Sequence, residues 1–275
     1  MNIDKNHILT EGGERPILFD RYQPEDGSIQ ANVIFCHGYK GFKDWGGWHL
    51  VAEAFAQAGF AFWKFNFSHN GGTMDDPIDF PDLDAFALNN YSLEVEDIGR
   101  MIDKVRTESP DIPIYVIGHS RGGGIALLRA ANDKRISKVV SWAGVSDFKA
   151  RFFEGSPAFE QWKKEGITYV ENSRTKQQLP HKWQFYEDFK ANEDKLTISK
   201  AIASLEVPQL IVHGTQDPSV PYTEGEALHG WNPSSHLEIV EGADHVFGMK
   251  HPWDQDELAD HMQDVVQRTI NFLRA

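Results

Sequence analysis

Apolar positions in this chain follow two rhythms. Short continuous runs rich in β-branched and aromatic residues occur at 32–36, 59–67, 114–117, 136–144, 208–214 and 236–240. Such runs predict strands buried on both faces. Between them apolar residues recur every three or four positions, the spacing of a one-sided helix. Tyr91, Val95, Ile98, Ile102 and Val105 form one such stripe, stopped by Ser109-Pro110; Leu258, Met262, Val265, Val266, Ile270 and Leu273 form another. Further helices are expected at 48–57, closed by Gly59, from 121 to about 131, in a short segment capped by Thr197, and at 222–228 behind Pro221. Residues 1–30 predict two antiparallel strands, near 7–10 and 16–22, joined at Gly12-Gly13 and followed by an Asp26-Gly27 turn.

Strands alternate with helices from residue 32 onward, which predicts an α/β fold with a mostly parallel, right-handedly wound sheet of eight strands flanked by helices. Two stretches break the rhythm. Residues 68–90 read as a long polar connection. Residues 146–196, dense in Phe, Tyr and Trp among charges, read as an inserted helical lid. The expectation is a single domain over 1–275 that carries this lid.

Composition narrows the function classes. With 41 acidic against 27 basic residues the net charge is -14, which opposes nonspecific binding to nucleic acid or an anionic membrane. No apolar run approaches the ~20 residues of a membrane span. The single cysteine, Cys36, excludes an intrachain disulfide and sits in a buried strand pattern. The first residues carry no apolar signal core, so a cytoplasmic location is expected. His-Glu-x-x-His, a Walker loop and a Gly-x-Gly-x-x-Gly after the first parallel strand are all missing, and Asp256, Asp260 and His261 read as a wet helix face. Neither a metal nor a cofactor is expected.

The chemistry centres on Gly118-His119-Ser120-Arg121-Gly122, preceded by a strand run and followed by helical sequence. That order is what a nucleophile elbow needs: a serine in a sharp turn, with glycines clearing the crossing of strand and helix. A serine hydroxyl requires a general base. After the elbow, Asp217 and His245 stand on loops that leave the carboxyl ends of predicted strands, where ligands bind in an open α/β sheet. The order Ser120, Asp217, His245 is also that of the α/β hydrolases.

At these residues the chain resembles the α/β-hydrolase superfamily. His37-Gly38, the Ser120 pentapeptide, 213–221 and Ala243-Asp244-His245 match its landmarks in order. Within the superfamily it is similar to the dienelactone-hydrolase-like and cinnamoyl or feruloyl esterase-like group, although true dienelactone hydrolases carry cysteine where Ser120 stands. The resemblance implies Ser120 as nucleophile, His245 as base and then acid, and Asp217 as the group that orients the imidazole. It also implies an oxyanion hole from the backbone N–H groups of Tyr39 and Arg121. The expected activity is carboxylic ester hydrolysis through an acyl-enzyme on a small or aromatic ester, with a homodimer as a possible assembly. A thioesterase, a serine peptidase and a noncatalytic binding module are the alternatives.

Other residues compete for roles. Asp147 is a rival acid; His251 reads as surface; His213 reads as a backbone partner; His119 points away from the serine; Asp244 reads as a solvated loop residue; His37 braces the oxyanion loop. Arg121 meets either a substrate anion or acidic lid residues. Lys40, Trp142 and Trp183 are candidate substrate contacts, and 68–72 either line the pocket or form a plain turn.

Overall fold

The computed structural model describes all residues, 1–275. Eight strands form one sheet in the order β1-β2-β4-β3-β5-β6-β9-β10. They are β1 (Asn2–Leu9), β2 (Ile17–Gln23), β3 (Asn32–Cys36), β4 (Ala61–Phe65), β5 (Ile114–His119), β6 (Ile136–Trp142), β9 (Gln209–Gly214) and β10 (His236–Val240). β1, β2 and β4 pair antiparallel, and every other pair is parallel. The sheet expected from the apolar runs is therefore present, with β1 longer than its polar sequence signals. That edge strand is mostly exposed, so no apolar pattern marks it.

Two helical layers cover the sheet. Along β3, Val33 and Phe35 point into the layer built by α1 (Trp48–Gln57) and α9 (Asp260–Arg274). Ile34 and Cys36 point into the opposite layer, which holds α3 (Tyr91–Glu108), α4 (Arg121–Asn132), α7 (Ile198–Ala203) and α8 (Thr223–Trp231). This period-two alternation splits the apolar residues of one strand between two cores. The stretch at 68–90 is not wholly irregular: α2 (Leu83–Leu88) lies within it, capped by Asp82, whose side chain accepts from the Ala85 amide.

The inserted stretch holds the expected helices, α5 (Pro157–Glu165) and α6 (Gln184–Ala191), preceded by a 3₁₀ turn at Lys149–Phe152. It also contains an antiparallel hairpin, β7 (Ile167–Glu171) with β8 (Gln178–Lys182), so the lid is not purely helical. Pro180 inside β8 disguises that strand in the sequence, because proline cannot donate to a ladder. Phe148, Phe152, Phe159, Trp162, Phe185 and Phe189 join the lid to the core on the α3/α4 face.

Two features fix the loop after β3. Gly122 lies so close to β3 that a Cβ there would sit 2.4 Å from the Cys36 carbonyl oxygen. Nearby, Lys43 and Lys64, both nearly inaccessible, share Asp20 at 2.9 and 2.6 Å, and both also pair with Asp44. Asn66 Oδ1 accepts from the Lys43 amide at 2.6 Å. The cluster ties β2 and β4 to the loop that carries Tyr39 and Lys40. Removing one charge from a buried ion cluster leaves the others uncompensated. Asp20→Asn is expected to lower unfolding free energy by about 3–5 kcal/mol, read from urea denaturation; a loss below about 1 kcal/mol would deny the cluster this role.

Candidate active site

Ser120 closes β5 and opens α4 with φ 56° and ψ -121°, a region that side-chain-bearing residues rarely adopt. The turn is held by its own backbone: the Ser120 amide donates to Trp142 O at 2.9 Å, and its carbonyl accepts from Gly123 and Val145. The hydroxyl is thereby lifted above the strand ends. Ser120 Oγ donates to His245 Nε2 at 2.9 Å, and His245 Nδ1 donates to Asp217 Oδ2 at 2.7 Å. The three side chains named from the sequence thus meet in one hydrogen-bonded line. Asp217 also accepts from the Ser219 and Val220 amides at 2.8 and 2.9 Å. Burial opposes its charge, yet the nearby His213 and the hydrogen bonds from His245 and the Val220 amide outweigh that and hold its carboxyl well below the usual range.

The neighbours are mostly braces. His213 Nε2 donates to Val220 O at 2.8 Å, the expected backbone contact, and lies 3.4 Å from Asp217. His119 donates from Nε2 to His245 O at 2.8 Å, steadying the loop that carries the base. Asp244 is not simply solvated: its carboxylate accepts from the Val246 and Gly248 amides and shapes the same loop. His37 donates from Nδ1 to Gly38 O and accepts from the Phe67 amide, bracing the loop after β3. Asp147 is exposed and caps the 3₁₀ turn through the Lys149 and Ala150 amides, away from His245. His251, read as surface, is half-buried between Phe42 and Trp45 and accepts from the Gly46 amide at 2.8 Å. Phe42 and Trp45 are remote in sequence, so no local pattern announces this packing. Residues 68–70 are buried beside β4 and do not line the cavity at Ser120.

A cavity of about 640 Å³ lies between Ser120 and the lid. Tyr91, Phe148, Phe152, Phe159, Trp162 and Phe185 give its wall an aromatic face. Arg121 and Lys40 line it, but the two tryptophans named as candidate contacts do not. Trp142 is fully buried on the α1/α9 side, donating to Thr269 Oγ1 at 3.0 Å. Strand alternation turned it to the wrong face. Trp183 packs behind the wall against Phe159 and Trp162. The partner of Arg121 is Glu94 of α3 at 3.4 Å, not a lid acid, and the guanidinium lies 4.2 Å from the Tyr39 ring centre.

Two contributors escaped the sequence reading. Glu94 falls on the apolar stripe of α3, three residues after Tyr91, and burial pushes its carboxyl up against the opposing pull of Arg121. A carboxylate on a helix's apolar face is the signal that was available. His181 of β8 shares a 2.7 Å hydrogen bond with the Tyr39 hydroxyl and thus links the lid to the loop after β3. No set of three or more His, Cys, Asp or Glu side chains is arranged to hold a metal ion. No helix is long and apolar enough to cross a membrane.

Comparison with known proteins agrees with this architecture. The family model described as alpha/beta hydrolase fold matches residues 31–169. A monoacylglycerol lipase of Mycolicibacterium smegmatis is 30% identical over 120 residues, which are 44% of this chain and 39% of that protein. The chain therefore spans less than half the length of this curated relative. Est1E of Butyrivibrio proteoclasticus superposes with TM-score 0.74 at 16% identity, covering 99% of this chain and 100% of that one. A dienelactone hydrolase of Anabaena variabilis gives TM-score 0.64 at 17% identity over 98% and 96%.

Burial also lowers the imidazole pKa of three histidines around the site, to about 4 for His37 and about 3 for His119 and His181, from an ordinary 6.5. Unfolding lets each take up a proton between those values, so stability must rise with pH across that window. Asp97, raised by burial to about 6, and Glu94, also raised, act in the opposite direction, while burial lowers His49, His69 and His251 in the same sense as the first three. The fold is expected to be at least about 2 kcal/mol less stable at pH 5 than at pH 7, measured by urea midpoints; equal or greater stability at pH 5 would contradict these assignments.

Proposed function

The chain belongs to the alpha/beta hydrolase fold family, and from that premise we propose that it is a serine hydrolase that cleaves carboxylic esters through an acyl-Ser120 intermediate. One observation carries the reading: Ser120 Oγ, His245 and Asp217 are joined by hydrogen bonds of 2.9 and 2.7 Å. In this reading His245 Nε2 accepts the hydroxyl proton as Oγ attacks the ester carbonyl. Asp217, held ionised, fixes the tautomer that leaves Nε2 free and stabilises the imidazolium that forms.

The Tyr39 and Arg121 backbone N–H groups are assigned to the oxyanion. Arg121 supports this as the first residue of α4, where the amide lacks an intrahelical acceptor and the helix dipole favours negative charge. Each such donor is worth roughly 3–4 kcal/mol in the transition state. The imidazolium then protonates the leaving alcohol. A water enters, His245 activates it, and the acyl-enzyme is hydrolysed with Ser120 regenerated.

The aromatic wall of the lid cavity supports an apolar or aromatic group on the substrate. Esters are also the substrates named for the lipase relative, and Est1E has been solved with ferulic acid bound. Ser120→Ala is expected to reduce hydrolysis of phenyl hexanoate by at least ~10³-fold with an unchanged melting profile. Wild type should label with a fluorophosphonate and the variant should not. A fully active alanine variant would remove Ser120 from the mechanism, whereas a wild type inert to both ester and probe would favour a binding module. Asp217→Asn removes the acceptor that fixes the His245 tautomer and is expected to lower kcat about 10³–10⁴-fold while KM changes little; a loss under tenfold would assign the orienting role elsewhere.

A further inference from the structure

Ser120 and His245 border a second cavity of about 550 Å³ besides the one under the lid. It opens between the loops that follow β3 and β10, and its outer wall includes Trp45, Arg174, Lys250 and His251. Tyr39, Lys40, Ser120 and His245 belong to both cavities, so the nucleophile stands at their junction.

The two spaces differ in chemistry. The lid cavity is walled largely by aromatic rings, whereas ten of the seventeen residues lining the second are polar or charged, Lys40, Arg174 and Lys250 among them. No aspartate or glutamate lines either cavity, in a chain where acids outnumber bases 41 to 27, but Arg121 and Arg151 of the lid cavity are already paired with Glu94 and Glu224, which leaves the second cavity as the one that adds an unpaired cation. Its cations are also unequally engaged. Arg174 pairs with Asp79 behind it. Lys40 and Lys250 form no ion pair; Asp244, near Lys250 in sequence, instead turns Oδ1 to the Val246 and Gly248 amides.

Lys40 is half-buried, its ammonium 5.4 Å from the Tyr39 ring centre, and burial pulls its pKa below the ordinary value. A cation partly withdrawn from water without a counter-ion carries an unreturned desolvation cost. An anion bound beside it would return part of that cost. The same anion would meet Lys250 at the cavity rim.

We propose that the substrate is an ester with unlike ends, an apolar group that fills the lid cavity and an anionic group, carboxylate or phosphate, that Lys40 and Lys250 receive in the second. This inference rests on the serine-hydrolase reading and specifies its substrate class.

The test uses the full chain and matched ester pairs that differ only in the anion. Phenyl hexanoate against 4-carboxyphenyl hexanoate places a carboxylate on the alcohol side. Phenethyl pentanoate against phenethyl hydrogen succinate places it on the acyl side. 1-Hexanoylglycerol against its 3-phosphate supplies a phosphate. At least one anionic member is expected to exceed its neutral partner by tenfold or more in kcat/KM, chiefly through KM.

In Lys40→Gln/Lys250→Gln, and in Lys250→Glu where the altered residue is exposed, that ratio is expected to fall to about one or below. A ratio within one preparation does not depend on how much of the variant folds. Hydrolysis of neutral esters with no preference for any anionic partner overturns the inference and leaves the hydrolase reading standing. A preference unmoved by the lysine replacements overturns it as well. Failure of every ester, together with no fluorophosphonate labelling, takes down the hydrolase reading itself.

Discussion

The crossing of β5 with α4 is the constraint on which the rest is built. Chain direction reverses within a single residue there, and Ser120 absorbs the change in a backbone conformation that side-chain-bearing residues avoid. The turn closes only because α4 can approach both strands. A Cβ on Gly118 would lie 2.1 Å from Gly122 O, and one on Gly122 would overlap the end of β3. What is gained is position: a hydroxyl above the sheet and a helix N-terminus aimed at the same point. The loops after β9 and β10 then have to deliver only two side chains.

Those loops are held by polar contacts as well as by apolar packing, with Val220 in one core and Ala243, Phe247 and Met249 in the other. Asp217 is anchored by two backbone amides before it meets His245, and His245 is anchored through its own carbonyl by His119. On the opposite side, the Asp20, Lys43, Lys64 and Asp44 cluster fixes the loop that presents Tyr39 and Lys40. Burying Asp20, Lys43 and Lys64 beside a partly exposed Asp44 is costly unless their geometry satisfies them all, and that demand makes the arrangement specific. Loops are ordinarily the mobile parts of a fold; here each one bearing a candidate residue is tied to the sheet at a second point.

Much of this was legible in the sequence, for a physical reason. Parallel strands buried on both faces must be continuous apolar runs, and residues placed just after them must share one edge of the sheet. Ser120, Asp217 and His245 could therefore be put together without coordinates. Trp142 could not be placed, because one step of strand register decides which core a side chain enters. The hairpin at 167–182 was hidden by Pro180, and the packing of His251 depends on Phe42 and Trp45 from the far end of the chain. Glu94 lies on the apolar stripe of α3, but its partner, Arg121, approaches only after α3 and α4 have packed, so the pair itself is not written in local sequence.

The unlike cavities on either side of Ser120 have a stereochemical consequence. A carbonyl carbon with two different arms has two distinguishable faces. If each arm suits only one cavity and the oxygen has only one set of donors, the molecule enters in a single sense and Oγ meets a single face. Substituents on a carbon next to the ester then point to fixed walls, so mirror-image substrates encounter different surroundings. The asymmetry that sorts the ends of a substrate would also sort its enantiomers.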